Sequence, residues 1–194
     1  MNSIWSCTKH SWQVGIGDPG LGGWLIVAFY AVTGLLALRV AIGGVFPERS
    51  ARRERLFWGA LGIGMLLLAL NKQLDLQTLL TAAARCMAQL QGWYETRRIV
   101  QVGFIAGIFV LMVLLFGAAC MALRGTLHRN GLAIAGLVFV LGFVLIRAAG
   151  FHHMDRLISI EVHSIRLNWV LEMAGPLCIS GGALLILRGW PKKR

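Results

Sequence analysis

Residues 151–176 read FHHMDRLISIEVHSIRLNWVLEMAGP, and within twenty-two positions of this stretch lie three of the chain's five histidines and three of its eight acidic residues. His152, His153 and Asp155 form an HHxD motif, with His163 a short interval later. Imidazole nitrogens and a carboxylate in that grouping suit a divalent transition metal such as zinc or iron, and a bound ion would activate water for attack on a bond. Adjacent histidines ordinarily point to different sides, so one ion held by both His152 and His153 requires an irregular turn. The competing reading is a hydrated loop whose imidazoles hydrogen-bond at an interface or respond to pH.

Glu172 is the second chemical feature. It lies about five residues inside an apolar run, roughly 7 Å below its start at helical rise, where an ionised carboxylate needs a partner or water. Arg147 matches it best in depth and Lys72 is the second candidate. Four residues on, Pro176 has no N–H to give the carbonyl of residue 172, which predicts a kinked or opened helix there. Asn168 shares the face of Glu172 by i to i+4 spacing, and Glu161 extends the stripe outward. The expected polar pocket is therefore Arg147, Glu172, Asn168, Lys72 and Asp75, with Glu172 as the group that could act as a catalytic base. Arg97 and Arg98, in QGWYETRR, could hold an anionic lipid headgroup or phosphate or simply anchor the chain at the interface.

The elements that must carry these residues are membrane helices. The 194 residues are 57% hydrophobic and 14% charged, with a mean hydropathy of +0.71, whereas soluble domains carry about 25% charged residues. Several apolar runs reach the roughly twenty residues a helix needs to cross hydrocarbon. The alternation of a β-barrel is missing. The sequence thus predicts one all-α domain over residues 1–194, a bundle of five transmembrane helices near 21–46, 56–72, 99–123, 131–150 and 165–187. A net charge of +11 does not imply nucleic acid, because the basic residues sit at the ends of apolar runs rather than on one folded surface.

Those basic residues set an expected orientation. With the N-terminus outside, the short cytoplasmic segments hold Arg49, Arg52, Arg53, Arg55, Arg124, Arg129, Arg188, Lys192, Lys193 and Arg194, ten in all. The much longer outer segments hold seven: Lys9, Lys72, Arg85, Arg97, Arg98, Arg156 and Arg166. The positive-inside rule then gives N-out and C-in. The N-terminus lacks the basic start and cleavage site of a signal peptide. The same orientation puts Glu48, Glu54 and His128 on the cytoplasmic side and every other acidic residue and histidine at the outer end.

Between the second and third spans, Leu76, Leu80, Ala83, Met87, Leu90 and Tyr94 fall on one helical face, and Gln77, Thr81, Arg85 and Gln89 on another. This predicts an amphipathic helix, capped at its start by Asp75 and ended by Gly92, lying on the outer surface or folded over the bundle. Cys7 and Cys86 fall on one side of the membrane and could form a disulfide, while Cys120 and Cys178 lie within apolar runs as small hydrophobes. Abundant glycine within the spans predicts close helix packing.

The phrases LNKQLDLQTLLT, QGWYETRR and FHHMD…LNWVLEMAG resemble an uncharacterised family of small bacterial polytopic inner-membrane proteins, a resemblance that implies location in the bacterial inner membrane and no activity. The alkaline ceramidase group also uses His and Asp ligands within a helical bundle, but this chain lacks its HxxxH pair and has fewer spans, so no residue carries over. Three functions follow from the residues. The first is a noncatalytic accessory or assembly subunit with a polar outward-facing pocket, in contact with membrane lipid and with a membrane-protein partner or a second copy of itself. The second is a metal-dependent enzyme acting on a lipid or lipid-linked substrate, and the third a small proton- or ion-coupled transporter.

Overall fold

The computed structural model describes residues 4–11, 20–149, 161–162 and 165–189. Seven α-helices lie among them: α1 (Ile4–Ser11), α2 (Leu21–Gly43), α3 (Glu48–Leu74), α4 (Leu76–Leu90), α5 (Arg97–Ala122), α6 (Leu127–Ala149) and α7 (Leu167–Leu187). The protein is an all-α, multi-pass membrane bundle: four of these helices, α2, α3, α5 and α6, are long and apolar enough to cross a membrane. In α7 the apolar stretch is shorter, Leu171–Leu187.

The core is built by α2, α3, α6 and α7, whose Ile26, Tyr30, Trp58, Met65, Val140 and Ile179 form one buried cluster. Helices in lipid gain little by swapping acyl chains for apolar neighbours, so close backbone approach must hold them. Two glycine crossings supply it. Between α2 and α3, a Cβ built on Gly34 would lie 3.0 Å from the Gly62 carbonyl, and one on Gly62 would lie 2.9 Å from the Gly34 carbonyl. Between α6 and α7, Gly136 and Gly175 are related in the same way, at 2.7 and 2.9 Å. Thr33 of α2 and Ser180 of α7 close the ring through a buried hydroxyl pair at 2.8 Å.

Helix α3 begins well before the apolar run that marks it in sequence. Pro47 caps it in an extended conformation, Glu48 occupies its first turn, and Arg49, Arg52, Arg53, Glu54 and Arg55 are all helical. The basic cluster is thus the first two turns of a helix, where the expectation had a loop before residue 56. Asp75 alone, at φ 45° and ψ 48°, separates α3 from α4. It turns the chain by a left-handed backbone and makes no side-chain cap, a correction to its expected role. Gly92 (φ 77°) ends α4 as expected, with Trp93 N–H donating to the Ala88 carbonyl at 3.0 Å in a Schellman-type closure.

One further expectation fails at α7 and another is narrowed. Glu161 is not on the helix: it lies in a two-residue strand paired antiparallel with Arg166, so the polar stripe does not extend outward along a helical face. Of the kinked or opened helix expected at Pro176, only the opened form is excluded: the proline is buried within α7, which continues as helix from Leu167 to Leu187.

Replacing a helical glycine by alanine ordinarily favours the helix by about 1 kcal/mol. At Gly136 the new methyl would meet the Gly175 carbonyl and the Ile179 backbone nitrogen, atoms that cannot swing aside, and overpacking costs about 1–3 kcal/mol. Gly136→Ala is therefore expected to lower the thermal unfolding midpoint in detergent. Gly103→Ala in α5, where nothing lies within 4 Å, should leave it unchanged or raise it.

Candidate functional site

Polar side chains gather at the two ends of the bundle core. At the end where α3 finishes and α7 starts, Glu172 is 4% exposed and Lys72 Nζ lies 2.8 Å from its Oε1. The carboxylate that sequence reasoning requires to be paired is paired, but by Lys72 and not by Arg147. Lys72 leaves α3 toward α7, while Arg147 on α6 is exposed and interacts electrostatically with Tyr30.

Tyr30, on α2, is a site residue that sequence reasoning missed. It is 5% exposed, and its hydroxyl donates a long hydrogen bond, 3.5 Å, to the backbone carbonyl of Glu172. This is the carbonyl that Pro176 leaves without its helical donor. A phenol from the neighbouring helix thus covers the gap that proline opens. The signal was in the sequence only as a need for a donor, with nothing to say which helix would supply it.

Among the described residues the site is incompletely satisfied. Glu172 Oε2 and both amide atoms of Gln73 are buried and have no hydrogen-bond partner among the described residues. Buried polar atoms without partners are rare, and each calls for water, an ion or a ligand group. Asn168 falls in the first turn of α7, but its side chain lies outside the described part, as do the side chains of Arg97 and Arg98 in the first turn of α5. His152, His153, Asp155 and His163, the expected metal ligands, are outside the described residues altogether. Among the described residues no three His, Cys, Asp or Glu side chains come together in a way that could hold a metal.

At the opposite end lies a second cluster, of which the sequence reading assigns Glu54 and Arg129 to the short cytoplasmic connections. Glu54, fully buried, accepts from Arg129 Nε at 2.9 Å, from Arg129 Nη2, and from Asn130 Nδ2 at 2.8 Å. Asn130 in turn accepts from the Trp58 indole at 2.9 Å, and Arg129 stacks 5.6 Å over the Phe46 ring. Every oxygen of Glu54 is occupied, so this network joins α3 to α6 and leaves nothing over for a ligand. Its trace in sequence is the stripe Glu54, Trp58, Leu61, Met65 and Ala69, one buried face of α3.

Cys7 and Cys86 form a disulfide that ties α1 to α4, while Cys120 and Cys178 are free thiols. No protein-family model, curated protein or solved structure matches this chain.

Removing one member of a buried ion pair costs about 3–5 kcal/mol, because the other charge is left without compensation. Lys72 is partly wetted, its side chain 17% exposed, so Lys72→Met is expected near the bottom of that range. The Lys72→Met/Glu172→Met double variant should recover most of the loss, a strong coupling in unfolding measurements in detergent. Arg147→Met should couple to Glu172→Met far more weakly. Equal coupling at both cations would remove Lys72 as the partner.

Proposed function

We propose that the protein is a noncatalytic accessory or assembly subunit of the bacterial inner membrane, with five spans, the N-terminus outside, the C-terminus in the cytoplasm, and a polar outward-facing pocket around Glu172. The observation that carries this reading is α5. It has the highest mean hydropathy of the candidate spans, 2.8, and no residue from Ile99 to Ala122 is buried. It rests mainly on α6, and Gly103, Gly107 and Gly117 have open space where a side chain would be. Small residues on a membrane helix let another backbone approach closely. The four-helix core, by contrast, is locked by its glycine crossings and by ion pairs at both ends, which favours a fixed scaffold over a moving machine.

The fifth span is α7. It is the most enclosed helix of the core, packing on both α6 and α2, and its 21 residues reach about 30 Å. The outward N-terminus draws support from the Cys7–Cys86 disulfide, since such bonds persist in oxidising compartments. It also puts the ten clustered basic residues inside.

In membranes solubilised with a mild detergent, the chain is expected to migrate on native gels with a larger membrane complex. Gly103→Leu/Gly107→Leu should release it as a folded monomer. Wild-type protein that runs alone, or only with copies of itself, would overturn the accessory reading.

One observation favours a second reading, the proton- or ion-coupled transporter: the buried Oε2 of Glu172, without a hydrogen-bond partner among the described residues, is the kind of acceptor a coupling ion or proton uses. In that case Glu172→Gln would abolish flux in proteoliposomes while the protein stays folded, and unchanged flux would exclude it. The metal-dependent enzyme acting on a lipid or lipid-linked substrate depends on His152, His153, Asp155 and His163, and the described residues add nothing to it.

A further inference from the structure

We infer that α4, strapped to α1 by the Cys7–Cys86 disulfide, binds the phospholipid surface of the leaflet in which α3 ends, lying in the headgroup region as an interfacial anchor. The inference rests on the membrane-spanning bundle and is independent of the accessory-subunit reading.

Helix α4 has three faces. Ala82 and Cys86 are buried, at 6% and 2% exposure, and the disulfide at Cys86 joins this side to α1. Thr78, Thr81, Arg85 and Gln89 form an exposed polar face. Leu76, Leu80, Met87 and Leu90, at the i, i+4, i+11 and i+14 positions of one stripe, form an apolar face that is also exposed. Sequence left open whether this helix folds over the bundle or lies on the membrane. In the structure it packs chiefly on α1, and among the described residues the bundle leaves the apolar stripe exposed.

What covers it follows from continuity. Leu67, Leu70 and Leu74 at the end of α3 are exposed hydrophobics of a membrane-crossing helix, and a single residue, Asp75, separates Leu74 from Leu76. At the other end of α4 the chain passes through Gly92 and an exposed Glu95 to α5, whose Ile99, Val100 and Val102 are again exposed. The stripe is therefore flanked on both sides by lipid-facing surface, at the level where two spans leave the hydrocarbon. Trp93 and Tyr94, half-buried beside it, are the residue types that settle at that level. A helix apolar on one side and polar on the other belongs in this layer, its apolar side roughly 5–10 Å into the headgroup and acyl boundary. The disulfide adds a second helix to the same anchor, bringing exposed Ile4 and Trp5.

The test uses the full chain with Cys120→Ser and Cys178→Ser, the Cys7–Cys86 bond intact, in vesicles of phosphatidylethanolamine and phosphatidylglycerol. Nitroxide labels are placed singly at Leu80→Cys, Met87→Cys, Arg85→Cys and Gln89→Cys. Labels at positions 80 and 87 should collide several-fold more with oxygen, relative to a water-soluble nickel chelate, than labels at 85 and 89. Four water-exposed labels would overturn the inference, as would labels at 80 and 87 shielded from both reagents, which would mean that protein covers the stripe. Because each label sits on an exposed position, unfolding is detected separately, as loss of the wild-type thermal midpoint.

Discussion

A helix that trades lipid for an apolar neighbour gains almost nothing, so a bundle in hydrocarbon stands or falls on how closely its backbones approach and how its polar atoms are paired. Here the decisive approach is that of Gly136 and Gly175, which brings α6 and α7 into backbone contact. Glu172 stands one turn before Gly175 and Pro176 follows it directly, so this crossing fixes the height and rotation of the carboxylate. With α7 held there, Ser180 meets Thr33 of α2, Tyr30 reaches the carbonyl of residue 172, and Lys72 of α3 meets the carboxylate. The polar contacts do not assemble the helices independently; each becomes available because the glycines let the backbones in.

Much of this architecture was legible before any coordinates. Composition and run length gave a helical membrane bundle, the spacing of Leu76, Leu80, Met87 and Leu90 gave an amphipathic helix, and Gly92 gave its end. The need of Glu172 for a cation follows from depth alone. Which cation does not. Depth along a helix is read from sequence, whereas azimuth relative to a neighbour depends on which helices touch, and no single-chain pattern supplies that. Depth ranks Arg147 first and Lys72 second, and the structure pairs Glu172 with Lys72.

The start of α3 escaped for a related reason. Charged residues mark a loop only if every helix is assumed to stop at the edge of the apolar layer, and α3 runs two turns past its apolar run on the strength of Pro47 and Glu48. Once those turns are helical, Glu54 falls in line with Trp58, Leu61 and Met65 and must be buried. Its partners Arg129 and Asn130 then become necessary, since a bare carboxylate there would be prohibitive. The misplaced boundary concealed the whole Glu54 network.

The two polar clusters differ in completeness, and the difference bears on where function resides. At one end both carboxylate oxygens of Glu54 are engaged, Asn130 bridges to Trp58, and Arg129 is held by two acceptor atoms and an aromatic face. Such a network resists change, because any new partner must displace one already well placed. At the other end Glu172 spends one oxygen on Lys72, Tyr30 reaches the backbone only at 3.5 Å, and the Gln73 amide is buried without a partner among the described residues. An incompletely satisfied site costs stability that a fully apolar core would not. Pro176 enlarges that cost by withholding a backbone donor from the same turn. Among the described residues, hydrogen-bonding capacity is thus left unspent at the Glu172 end of the core and fully used at the Glu54 end.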